Sequence, residues 1–422
     1  LTEANHNVAD WLWCERQFIE ADKHKPEEKR FNGWSESQTQ AFEQWGSPEV
    51  DNVMLLFYPT GQGKSKTALA LVHVAGFSEV VVIAPRATHN SWQADALALN
   101  MKVRVDTPQR FRMPATKYPA GVPIIYDEVH QAGGHTGDGW KKLNRMAFKM
   151  TVPLIMNSAT PNYNDHERVF CMTAIGDKEP VRNFLDWVVK NCITRPNPFS
   201  MIPYVDGFLH YPSALEFLRS RPWVAYVEDT ATWKEVSLTL PTPTDWVFTT
   251  LFEEAGASQR HLRMVASDME KRHKRVELRF IGDDGLIRPE ILNAMFRSMH
   301  VNEGNSSKQW MIYCSHKSVA EALYHTFESY EVGSEYWIIT GDTSEDDVEN
   351  FKQMFIQSDH GLLIGTSAIA TGMDGVDKTC HHMLILDDIV GDNALRRQLI
   401  GRILPRGVDD DDERVVVRAT FE

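Results

Sequence analysis

The sequence predicts an α/β protein: two tandem parallel-sheet domains with a helical connecting segment between them. Short apolar runs of strand length alternate with helical stretches between residues 52 and 157, and the same alternation returns between 309 and 386. The stretch between the two blocks is instead rich in prolines and long polar helical patterns. Strands alternating with helices build parallel sheets covered by helices on both faces. A length of 422 residues accommodates two or three such domains.

In chain order, residues 1–30 read as an N-terminal amphipathic helix over 6–20 and a charged linker, ADKHKPEEKR, over 21–30. Residues 31–235 form the first sheet domain, with strands at 52–57, 79–84 (EVVVIA), 122–126 (VPIIY) and 152–156 (VPLIM). Residues 236–300 read as the connecting segment; the strand-like EVSLTL lies at its border and a helical run extends from Asp245 to Arg279. Residues 301–422 form the second sheet domain, with strands at 309–313, 336–339, 361–364 and 382–386 and a last strand in VVVRATFE.

Composition excludes several classes. With 42% hydrophobic and 24% charged residues the chain is an ordinary globular protein, not a disordered one. Apolar runs fall short of the ~18 residues of a membrane span, and the polar, acidic opening LTEANHNVAD is not a signal peptide, though the absent initiator Met suggests a trimmed or partial chain. Five cysteines without a C-x-x-C pair fit a reducing compartment, so a cytoplasmic or nucleoid-associated location is expected. Cys380-His381-His382 is a poor metal site, because neighbours on a strand face opposite ways. The net charge of −14 requires any nucleic-acid binding to use a local basic groove. The run Lys271 to Arg275 is one candidate, with a solvated helix face as the plainer reading, and Asp409 to Glu413 reads as a solvated turn.

The strongest local signal is YPTGQGKSKTAL, residues 58–69. An apolar strand runs into it and helix formers follow, as a phosphate loop needs. Gly61 and Gly63 let backbone N–H groups approach an anion, and the helix N-terminus adds partial positive charge. Thr60, Gly61, Gln62, Gly63, Lys64 and Ser65 are therefore the candidate cradle, with Lys64 reaching phosphates and Ser65 offering its hydroxyl to Mg²⁺. Tyr58 stands where the strict G-x-x-x-x-G-K-[ST] pattern has its first glycine.

The second signal is Asp127-Glu128-Val129-His130 at the end of VPIIY. Two carboxylates at the tip of a buried strand are costly unless used. In a nucleotide site Asp127 would hold the Mg²⁺ shell and Glu128 would take a proton from the attacking water.

These pieces, with Ser158-Ala159-Thr160-Pro161 after the next strand, resemble the first motor domain of the superfamily 2 helicases and translocases, in the DExH form. Gln38 resembles the glutamine that reads the adenine edge, with Gln40 as the alternative. Ala84-Pro85-Arg86 resembles motif Ia and Thr107-Pro108-Gln109-Arg110 motif Ib, so Arg86, Thr107 and Arg110 are implied on the nucleic-acid face. Met311 to His316, including Ser315, is similar to motif IV. Residues Gly365 to Asp374 are similar to motif V, which implies Thr366 on backbone phosphate and Gly372 and Asp374 beside the nucleotide. Arg397-Gln398-Leu399-Ile400-Gly401-Arg402 is similar to motif VI, which implies Gln398 and an arginine finger, Arg402, that crosses to the γ-phosphate. Pro405 stands where a second arginine is expected, leaving Arg406 as a weaker candidate.

The resemblance spans residues 38 to 406 and implies two RecA-like domains that bind ATP and Mg²⁺ and move along a nucleic acid, acting as a monomer. EVSLTLP before the helical run resembles Swi/Snf-type double-stranded DNA translocases and related viral helicases, so DNA is expected ahead of RNA. An RNA helicase and a nucleotide-gated binding switch with weak turnover stay open. A small-molecule kinase does not explain a second domain with its own glycine loop and arginines.

Overall fold

The computed structural model describes residues 8–25, 30–59, 62–119, 121–132, 137–159, 166–178, 184–196, 203–227, 233–241, 279–301, 309–330, 335–370, 373, 375–386, 396, 399–404 and 413–421. The chain divides into two compact units, Leu1–Thr230 and Ala231–Glu422.

In the first unit the apolar runs become strands β1 (Val53–Phe57), β2 (Glu79–Ile83), β4 (Ile124–Tyr126) and β5 (Leu154–Ser158). Strands β3 (Lys102–Asp106) and β8 (Val224–Tyr226) complete a six-stranded sheet in the order β3-β2-β4-β5-β1-β8, with every pair parallel. All five residues of β1 and of β5 are buried, as continuous apolar runs should be in a sheet covered on both faces. An antiparallel pair, β6 (Cys192–Arg195) and β7 (Tyr204–Phe208), lies outside the main sheet.

Helix α1 spans Val8–Asp22, slightly beyond the expected end, and is part of the first unit's core: Trp11, Cys14 and Phe18 are buried. Trp11 stacks on Phe42 at 4.9 Å and Trp13 on His73 at 4.6 Å. Helix α2 spans Glu36–Trp45 and helix α3 spans Lys64–Val74.

The second unit holds β9 (Lys234–Leu240), β10 (Trp310–Tyr313), β11 (Tyr336–Ile339), β12 (Leu362–Gly365), β13 (His382–Ile385) and β14 (Val415–Phe421). Their order is β11-β12-β10-β13-β14-β9, again all parallel. Strand β9 pairs with β14 along its whole length, from Lys234 with Val415 to Leu240 with Phe421. Residues that read as a border and a connector in the sequence therefore close the edge of the second sheet. Helix Pro289–Val301 belongs there too, because Ile291, Leu292 and Met295 share a core with Leu240, Phe280, Trp310 and Val417. The helical run expected from Asp245 lies, except for Arg279, outside the described residues, as does the basic run Lys271 to Arg275. Among the described residues no helix is long and apolar enough to cross a membrane.

Candidate functional site

Parallel strands aim their C-terminal ends the same way, so the residues that follow them collect at one edge. Tyr58, immediately after β1, is fully buried and its hydroxyl donates to Ser37 O at 3.0 Å. The residue in the first-glycine position is thus a core side chain. Gly63 caps α3 in the left-handed region, φ +71°, and a Cβ there would lie 2.4 Å from Gln38 Nε2. Glycine is required on both counts. Lys64 Nζ curls back over the loop and donates to Tyr58 O at 2.9 Å and Pro59 O at 3.1 Å. Ser65 is half-buried in the first turn of α3 and Gln62 is exposed. Thr60 and Gly61 lie outside the described residues.

Gln38 is a strut between α2 and α3. Its Oε1 accepts from Ser35 N–H at 2.9 Å while Ser35 Oγ accepts from Gln38 N–H, a reciprocal capping box. Its Nε2 donates to Thr67 Oγ at 2.9 Å, and Thr67 Oγ donates to Gly63 O at 3.0 Å. Both ends of the amide are committed to holding the loop. Gln40 is exposed and donates to Glu36 at 3.5 Å.

Asp127 leaves the tip of β4, two strands from β1, with its N–H donating to Ile83 O at 2.8 Å. The carboxylate is buried: Oδ2 accepts from Trp92 Nε1 at 3.2 Å and Oδ1 from Glu128 N–H at 3.2 Å. Burial pushes its pKa up to about 6, the charge of Glu128 adds to the rise, and Lys64 opposes it. The glycine-loop lysine and the strand-tip carboxylate therefore feel each other's charge. Glu128 has φ +50°, uncommon for a residue with a Cβ, and this turn swings its carboxylate out of line with the strand. His130 Nδ1 lies 3.3 Å from Glu128 Oε2 and 3.2 Å from Ser158 Oγ, which joins the tips of β4 and β5. Thr160 and Pro161 lie outside the described residues.

A hydroxyl at Ser65 and a carboxylate at Asp127 suit a hard cation such as Mg²⁺, which takes few protein ligands and completes its shell with phosphate oxygens and water. Among the described residues no cluster of three or more His, Cys, Asp or Glu could cage a metal by itself. Trp92 escaped sequence reasoning. Its only signal is an indole N–H on an otherwise buried helix face, which needs an acceptor.

The loops after β2 and β3 stand side by side, since Ala84 N–H donates to Asp106 O at 2.9 Å. Arg86, in a short turn after β2, is exposed. Thr107 caps helix Pro108–Arg112, with its Oγ accepting from Arg110 N–H at 3.2 Å, and Arg110 is exposed. The structure thus groups Arg86, Thr107 and Arg110 at the β2–β3 side of the sheet, apart from the glycine loop at β1.

In the second unit Ser315 and Thr366 follow neighbouring strands, β10 and β12, and Cys314 N–H donates to Gly365 O at 2.9 Å. Ser315 is exposed and Thr366 buried. Arg402 is buried, with its Nε donating to Ala370 O at 2.8 Å and its Nη2 to the same oxygen. It ties the turn that resembles motif VI to the loop that resembles motif V. Gly372, Asp374, Gln398 and Arg406 lie outside the described residues.

Among solved structures, the chain is similar to S. cerevisiae Dbp5 bound to RNA and ADP BeF3, at 13% identity and a TM-score of 0.52, covering 93% of this chain and 85% of that one. A point variant of Dbp5 with the same ligands aligns at 14% identity and 0.52, covering 100% and 89%. The Sulfolobus solfataricus SWI2/SNF2 ATPase core in complex with dsDNA aligns at 12% identity and 0.36, covering 92% and 88%. No protein-family model and no curated protein matches the sequence. The fold is two tandem RecA-like domains.

Proposed function

We propose that the protein is an ATP-dependent helicase or translocase of superfamily 2, in the DExH form, acting on DNA. The observation that supports this reading is that Lys64, just past the tip of β1, and Asp127, at the tip of β4, follow strands of one parallel sheet with only β5 between them. Lys64 binds the β- and γ-phosphates by leaving the two carbonyls it now caps, and Ser65 and Asp127 hold Mg²⁺. The cation supplies charge neutralisation at the phosphates. Glu128 accepts the proton of the attacking water, oriented by its left-handed backbone and by His130. Gln38 braces the loop, and its adenine-reading role requires a donor or acceptor beyond those used inside the fold. Arg402 and Arg406 stabilise transferred charge, with Gln398, Gly372 and Asp374 in the roles the resemblance gives them. Arg86, Thr107, Arg110, Ser315 and Thr366 grip backbone phosphates.

RNA is the second reading, favoured by the likeness to an RNA-bound structure. Steady-state ATPase with single-stranded DNA, duplex DNA and RNA separates the two. Stimulation by DNA, abolished in Lys64→Ala and in Glu128→Gln, is the expected result. Turnover unmoved by every polynucleotide would refute the motor and leave a nucleotide-gated switch.

A further inference from the structure

The chain carries a net charge of −14, yet two packed pieces of the first unit are strongly basic. Residues 101–119 and 138–150 together hold nine lysines and arginines against two acids, Asp106 and Asp138. They are one surface, because Lys142 on helix Asp138–Lys149 donates to Phe111 O at 2.7 Å, Met113 O at 3.1 Å and Thr116 O at 2.6 Å. Part of it is preorganised. Asp106 is buried and holds Arg104 at 2.7 Å and Arg110 at 3.3 Å, and Arg104 also lies 5.0 Å over the Tyr118 ring. One buried anion thus fixes two outward cations, whose side chains stay 42% and 61% exposed.

The helix continues the surface. Lys141, Arg145 and Lys149 are exposed and recur every fourth residue, so they form one row with steps of about 6 Å. Leu143, Asn144 and Ala147 face the core on the opposite side. Phe148 borders the cationic row beside Lys141 and is 47% exposed. Asp138 is the one acid of the arc and sits in the first turn, where it favours the helix N-terminus. Cations in a row with an exposed aromatic at its border are what a single strand needs: charge for the backbone and a flat ring for a base.

We propose that this face binds single-stranded nucleic acid, with Arg104, Lys141, Arg145 and Lys149 on phosphates and Phe148 stacked under a base. The class of partner rests on the function proposed above, but the surface uses none of the nucleotide-binding residues and extends the track beyond Thr107 and Arg110.

The test is equilibrium binding of the full chain, without nucleotide, to a fluorescent thymidine 30-mer, a uridine 30-mer and a 30-base-pair duplex, each across a salt series. Lys141→Gln/Arg145→Gln/Lys149→Gln should weaken single-strand binding about ten-fold or more and flatten the log–log salt slope by about 2, from about 0.7 per lost phosphate contact. Phe148→Ala should weaken it about five-fold without changing the slope and leave duplex binding unaffected. The uridine probe separates RNA from DNA, and loss on either single strand supports the face. Wild-type affinity and slope in the triple variant overturn it, as does a Phe148→Ala loss as large on duplex as on single strands. If the triple variant does not fold, Phe148→Ala decides alone. If the wild-type protein binds none of the probes, the proposed function falls as well; if it binds them and only the variants behave as wild type, the face alone falls.

Discussion

Replacing Asp127 with Asn should make the metal-free protein more stable at neutral pH while weakening the Mg²⁺ binding proposed above. The carboxyl's pKa rises from 3.8 to about 6 in the fold, mainly through burial. Each unit is worth ~1.4 kcal/mol, so the ionised group costs about 3 kcal/mol of stability. The sign follows from proton uptake. Between pH 3.8 and about 6 the folded state holds a proton that the unfolded chain has released, so stability falls as pH rises through that window and levels off above it. Asparagine carries no charge to desolvate, and its Oδ1 can still accept from Trp92. It leaves the Glu128 N–H without its acceptor, which costs about 1 kcal/mol. The expected gain is therefore about 1–2 kcal/mol at pH 7.5, shrinking to nothing or reversing at pH 4. Urea denaturation of both proteins in EDTA at the two pH values measures it. An Asp127→Asn protein no more stable than wild type at pH 7.5, or a gap indifferent to pH, would refute the view of Asp127 as a buried charge kept at a loss.

Trp92→Phe removes the N–H that Asp127 Oδ2 accepts. That donor holds the carboxyl's pKa down, so without it protons compete harder with Mg²⁺ and half-saturating Mg²⁺ in the ATPase should rise more at about pH 6.5 than at about pH 8; an unchanged Mg²⁺ titration at both pH values counts against the contact. Gly63→Ala places a Cβ 2.4 Å from Gln38 Nε2 at φ +71°. It should cost about 1–3 kcal/mol, read as a lower melting temperature, and a melting temperature equal to wild type would show that the loop relaxes freely. Arg402→Lys keeps the charge but cannot place two donors on Ala370 O as the guanidinium does, so the second unit should lose about 1 kcal/mol or more in thermal unfolding. No loss would mean that this bond is dispensable to the fold.

What the sequence disclosed follows the range of the interactions involved. The strands β1, β2, β4, β5, β10, β12 and β13 announce themselves because burial on both faces demands an apolar run, a purely local property, and the edge strand β11 does so because its YWII is apolar throughout. Strand β3 does not: KVRVD alternates charge with valine because it stands at the edge of its sheet, so it reads as a polar link. The alternation of KEVSLTL marks β9 as a strand, but its partner β14 is far along the chain, so the unit it joins is invisible locally. The same divide runs through the site. Gly63, Lys64, Asp127 and Glu128 stand out as candidates because each lies at or just past the end of an apolar strand, a pattern adjacent residues show. The bonds of Trp92 to Asp127, Gln38 to Thr67 and His130 to Ser158 join separate elements, and only the packed sheet brings them together.

Those bonds bear on how the proposed site would work. Lys64 caps two loop carbonyls, Gln38 spends both ends of its amide on the capping box and Thr67, and Arg402 gives two donors to Ala370 O. Binding a phosphate is then an exchange of one set of hydrogen bonds for another, and only the difference appears as affinity. For Lys64 the exchange favours the ligand, because a phosphate oxygen is charged and a loop carbonyl is neutral, and charge-assisted bonds are roughly twice as strong. Asp127 works in the same direction, since a cation entering beside it relieves a charge that burial makes unfavourable. Arg402 differs: it is buried, and its release exposes a carbonyl that the fold had satisfied. In the arginine-finger role proposed above, its engagement would lag that of Lys64 and require more ligand charge, so a triphosphate should move it where a diphosphate does not. Hydrogen exchange at the amides of residues 399–404, compared with ADP and with a non-hydrolysable ATP analogue, measures that difference. Identical protection with both nucleotides would refute the ordering.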